Sequence, residues 1–67
     1  MSIAKVIEIS AGSPKSFEDA VRAGLAKAAT SVQGIQGAWV SEMKVKVHDG
    51  MVSEFRVAMR ISFVLAD

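Results

Sequence analysis

The most constraining feature is a strict two-residue alternation near the end of the chain. Phe55, Val57, Met59, Ile61, Phe63 and Leu65 alternate with Glu54, Arg56, Ala58, Arg60, Ser62 and Val64. A period of two puts successive side chains on opposite faces, so this stretch reads as a strand with one apolar and one mixed face. The strand is expected over Met51–Leu65, with its apolar face on a helix. Ile3–Ile9 (IAKVIEI) is a second β-branched run, ended by Ala11-Gly12-Ser13-Pro14.

A helix is expected next. Ser16 is a suitable N-cap, and Asp19 in the first turn suits the positive helix end. Phe17, Ala20, Val21, Gly24, Leu25, Ala28 and Val32 recur at helical spacing on one narrow, Ala-rich stripe. Gly24 lies within that stripe, where a missing side chain lets a strand come close. Gly34 and Gly37 end the helical region, and a strand follows over Ala38–Val47.

His48-Asp49-Gly50 is a turn signal. A two-residue Asp49-Gly50 loop with regular pairing would set Lys44 against Phe55. A three-residue loop with Gly50 in a left-handed bulge avoids that mismatch. The expected pairs are then Met43 with Phe55, Val45 with Ser53, Glu42 with Arg56, Lys44 with Glu54 and Trp39 with Met59. Placing the last strand between the other two gives a wholly antiparallel sheet. The expected fold is α+β: βαββ, strand order 1-3-2, wrapped around one helix. The second sheet face is expected to carry Val40, Ala58 and Val64 among its charges, as subunit contacts often do.

Sixty-seven residues make one domain, 1–67, and such a chain buries only about 60% of the surface it exposes when unfolded. Disulfides, a metal or oligomerisation are the usual supplements. There is no Cys and only one His, while hydrophobic residues reach 51%. Oligomerisation is what remains. A net charge of +1 with intermixed signs gives no footprint for nucleic acid or an anionic membrane. No apolar run approaches the roughly 18 residues of a membrane span. Lys5 and Glu8 interrupt Met1–Ile9, which does not read as a signal peptide, so a cytoplasmic protein is expected.

No catalytic constellation is visible, and the expectation is a non-enzymatic protein. His48 sits in a tight turn without a partner Ser or carboxylate. Glu42 and Glu54 share a sheet face, but each has a cationic neighbour in the expected register, which favours ion pairing over acid–base work. Gly34-Ile35-Gln36-Gly37 follows a helix, whereas a dinucleotide fingerprint precedes one. Trp39, the only Trp, is expected on the core-facing side near the end of the sheet. It suits core or interface packing, or a stacking platform for a flat heterocycle. Arg56 suits an ion pair with Glu42, or recognition of ligand carbonyls or phosphate. Lys44 reads as a solvated charge.

The strings AKVIEIS, SPKSFEDAV, GAWV and EFRVAMRISFVLAD, with the order of elements, resemble the dodecin family over about Ile3–Leu65. The resemblance implies a hollow homododecamer that stores flavin, riboflavin or FMN, stacked between Trp residues near a two-fold axis and held by a Gln. It also implies quenching of the flavin excited state. Aligned without gaps from the last strand, the family Trp falls on Gly37, with Trp39 two residues on. The Gln position is Arg56, and an Arg of some members matches Lys44. A two-residue step preserves side-chain direction. Trp39, Arg56 and Lys44 are therefore the candidate flavin-binding residues, although regular alternation sends Trp39 and Arg56 to opposite faces. Only a bulge, or different subunits, would unite them. Some members are described as binding metal ions, so the alternative is a flavin-free assembly with pockets empty or holding metal ions or another anionic ligand.

Overall fold

The computed structural model describes residues 3–65. The chain runs β1 (Ile3–Ser13), α1 (Phe17–Ala28), β2 (Ile35–His48) and β3 (Met51–Leu65). The sheet has the order β1-β3-β2, antiparallel throughout. The expected βαββ topology and the bounds of β3 are both found.

Two other bounds differ. β1 continues through the expected breaker to Ser13, pairing Gly12 with Arg56 and Ser13 with Phe55. Gly12 marks a close approach, not a stop: a Cβ there would meet Arg56 Nη1 and Glu54 Oε2 at 2.8 Å. Ser13 is buried, donates to Asp19 Oδ2 at 2.6 Å and accepts from the Lys15 amide. β2 begins at Ile35, three residues early, after Gly34 turns the chain at a φ of 76°.

The Ser16 hydroxyl caps α1 by accepting from the Asp19 amide at 2.9 Å. The helix stops at Ala28, so Val32 lies beyond it. Ala20 and Gly24 are its buried residues. A Cβ on Gly24 would come within 2.9 Å of both the Ala11 Cβ and the Met59 Cε, so the glycine permits helix and sheet to touch. Ala20, Val57, Met59 and Ile61 are the buried apolar residues, flanked by Ile9, Ala11, Phe17, Val21, Leu25 and Val40. Phe17 meets Phe55 edge to face at 5.1 Å between centroids. The helix packs on β1 and β3 and scarcely touches β2.

The expected register of the β2–β3 hairpin is corrected. The loop is the two-residue Asp49-Gly50, both at positive φ (51° and 75°), between paired His48 and Met51. This is the turn whose twist matches a hairpin. Apolar matching is recovered one step later, where β3 skips Ser53 between the Val47–Val52 and Lys46–Glu54 pairs. Phe55 therefore faces Val45, not Met43, and Arg56 faces Lys44, not Glu42.

A second irregularity decides which way Trp39 points. Val40 pairs with Met59 and Glu42 with Ala58, leaving Ser41 as the extra residue of a bulge. Before the bulge, the even-numbered Ala38 and Val40 share a face with Ile61 and Met59. After it, the odd-numbered Met43 and Val45 share that face with Val57 and Phe55. Val40, expected on the second face, packs against the core instead. Trp39, expected opposite Met59, pairs with Arg60 on the helix-free face.

Gly24→Val is expected to destabilise the fold by about 1–3 kcal/mol, as overpacking does, although valine is the better helix former. Denaturant unfolding measures it, and a variant as stable as the parent would contradict the close approach.

Candidate functional site

The helix-free face of the sheet carries Trp39 with the charged residues Glu8, Arg56 and Arg60. Glu8, Arg60 and Trp39 form one row across β1, β3 and β2, and Val6, Ser62 and Gly37 form the next. With Ala38 these six line an open hollow of about 770 Å³, within the range of small-molecule sites. Gly37 supplies much of the room, since even an added Cβ would meet only the Ser62 Oγ, at 3.7 Å.

Trp39 is 59% exposed. The Arg60 guanidinium carbon lies 5.0 Å from its ring centroid, within cation–π range. Arg60 is held from the other side, its Nε donating to Glu8 Oε1 at 3.0 Å. Glu8 and Arg60 were not singled out from the sequence. The pairing of Trp39 with Met59 hid them, and the bulge at Ser41 that sets Trp39 beside Arg60 has no distinctive residue to announce it.

Arg56 lies on the same face, so the bulge does unite the directions of Trp39 and Arg56. It does not unite their positions. Arg56 is four residues from Arg60 along β3, about 13 Å at strand spacing, in the row of Gly12 and Lys44. Its expected partner Glu42 is replaced by Glu54, which accepts from Arg56 Nη1 at 3.1 Å, while Nη2 donates to Ser10 Oγ at 3.0 Å. Glu54 also meets Lys46 Nζ at 3.7 Å, in place of the expected Lys44. Lys44 faces Arg56 directly, a like-charge pair that is unfavourable by itself. Glu42, 4.0 Å from Lys44 Nζ, and Glu54 offset it.

The hydrogen bond from Arg56 holds the Glu54 carboxyl below its ordinary value. Loss of surrounding water opposes this, and the charges of Arg56 and Lys46 reinforce it. His48 and Asp49, in the turn, contact each other at 3.4 Å and are largely exposed. Among the described residues no group of three or more His, Cys, Asp or Glu side chains is placed to hold a metal ion. No described helix is long and apolar enough to cross a membrane.

Fold and site define a small α+β protein whose sheet cups one helix and turns an aromatic and cationic face outward. The chain matches the Dodecin family model over residues 3–66 and belongs to the dodecin family. It superposes on dodecin from Streptomyces davaonensis with a TM-score of 0.94 at 24% identity, covering 98% of this chain and 97% of that one. An arginine-to-alanine variant of Thermus thermophilus dodecin gives 0.94 at 24% identity, with full coverage of both chains. A Mycobacterium tuberculosis protein named calcium dodecin, a calcium-chelating antigen with a novel calcium-binding site, is 33% identical. Its TM-score is 0.83, over 97% of this chain and 93% of that one. No curated protein matches.

Because the folded-state value of Glu54 is lowered, its pairing stabilises the fold above the ordinary carboxylate range. That contribution is lost as pH falls through the lowered value. Arg56→Gln is expected to return Glu54 to the ordinary range in a carboxyl-detected NMR titration. An unmoved Glu54 midpoint would contradict the pairing.

Proposed function

We propose that this chain is a subunit of a non-enzymatic, cytoplasmic homo-oligomeric shell, a dodecamer by family likeness, that binds and stores riboflavin or FMN between subunits. The observation that carries this reading is Trp39. A large aromatic left 59% exposed even with the Arg60 guanidinium over one face, beside a hollow floored by Gly37 and Ser62, offers a surface for stacking. Membership of the dodecin family supports the flavin as the flat ring. The two-residue offset of Trp39 from the family Trp position keeps it on the same face, as the Gly37–Ser62 and Trp39–Arg60 pairs support.

In this reading Trp39 stacks on the isoalloxazine. Arg56 serves a polar edge or phosphate, and Lys44 is an auxiliary cation. The distance between Trp39 and Arg56 along one sheet makes Arg56 a contribution from another subunit. Arg donates only, so it serves flavin carbonyls but not the ring N–H. Electron transfer from the stacked indole would quench the excited flavin.

A second reading, an assembly without flavin, is favoured by two contacts. Arg60 lies over Trp39, and Arg56 is already engaged by Glu54 and Ser10. The pockets would then hold metal ions or another anion, or nothing, and Trp39 would pack at an interface. The calcium site named for the Mycobacterium tuberculosis relative suggests the ion.

Riboflavin titrated with micromolar protein should lose its fluorescence stoichiometrically. Trp39→Ala should weaken binding by about 1–3 kcal/mol, the scale of lost aromatic stacking. Unchanged fluorescence on adding the parent protein would favour the flavin-free assembly.

A further inference from the structure

The Trp39 hollow contains a cation that the candidate residues Arg56 and Lys44 leave out. Arg60 is placed by two contacts of different kinds: its guanidinium carbon lies over the indole, 5.0 Å from the ring centroid, and its Nε is fixed by Glu8. Among the described residues, neither terminal nitrogen of Arg60 has a hydrogen-bond partner, and half of the side chain is exposed. Arg56 differs, with both of its terminal nitrogens engaged. A guanidinium whose Nε is taken keeps a planar edge of N–H donors, the arrangement that matches a phosphate in two parallel hydrogen bonds.

From this arrangement we infer that Arg60 is a specificity-determining residue of the Trp39 site, selecting a planar heterocycle that carries a phosphate over its uncharged counterpart. The inference rests on the flavin reading above and sharpens it to FMN over riboflavin. A ring stacked on the face of Trp39 away from Arg60 lies across the indole from the guanidinium, whose carbon is 5.0 Å from the indole centroid. The flexible ribityl chain can fold its phosphate back to that edge. Glu8 has two opposed effects. It orients Arg60 through Nε, and its negative charge partly offsets the attraction that Arg60 exerts on an anion. Glu8 is therefore a positioning residue that moderates the preference.

The test follows the intrinsic fluorescence of Trp39, the sole Trp, during parallel titrations with FMN and riboflavin at low and high salt. FMN is expected to bind about tenfold more tightly, the scale of one charge-assisted hydrogen bond. The gap should narrow as salt screens the half-exposed guanidinium. Arg60→Gln should bring the two affinities together, and Glu8→Gln should widen the gap. Should Arg60→Gln fail to assemble, Glu8→Gln and the salt series decide alone. Equal affinities in the parent protein would overturn the inference and leave flavin binding intact. So would an FMN preference that survives Arg60→Gln, or one that shrinks in Glu8→Gln. Absence of quenching by either flavin would remove the flavin reading and the inference with it.

Discussion

One helix has to serve three strands, and it covers only two. The lateral reach of α1 ends over β1 and β3, so the apolar side chains that β2 directs to the helix side beyond Ser41 are left largely uncovered. Met43 is 56% exposed, Val45 41% and Val47 62%, in a molecule 52 Å long and 13 Å thick. Among the described residues, four fully buried apolar side chains are a small interior for a chain with 51% hydrophobic residues. Such a stripe is an interface in need of a partner. The hairpin arm of β2 and β3 is the part that reaches furthest beyond the helix. The dodecin family is homo-oligomeric, and the proposed cover is another copy of the chain.

Within that frame, a single inserted residue sets the chemistry of the outer face. Without the bulge at Ser41, Trp39 would share the helix side with Met43 and Val45 and add one more apolar group to the uncovered stripe. With it, Val40 joins the core and Trp39 emerges beside Arg60 and Glu8. The same residue therefore links packing to function. The Ser41 hydroxyl donates to the Ala58 carbonyl at 3.2 Å across the interruption.

Much of the fold was legible in the sequence because its signals are periodic. The alternation from Glu54 to Leu65 gave β3 its bounds and faces, and the helical stripe with Ser16 before it gave α1. The strand order followed from connection rules. What escaped was aperiodic. Gly12 reads as a breaker, yet it is still paired within β1, one residue from its end, where the Glu54 and Arg56 side chains occupy the space a Cβ would take. Skipped Ser53 and extra Ser41 are ordinary serines, and each shifts the pairing beyond it. A register chosen on apolar matching, with charge pairs that agreed with it, was therefore plausible and wrong, and running it unbroken past Ser41 carried Trp39 to the wrong face. Trp39, Arg56 and Lys44 were recognisable as unusual residues in their places. The Arg60–Glu8 pair became visible only with the pairing of all three strands.

The central claim is that this subunit is completed by copies of itself. Light scattering of dilute, folded protein measures it most directly. The account predicts a species many times the 7.1 kDa of one chain, persisting on dilution. A stable, fully folded particle of 7.1 kDa would contradict it.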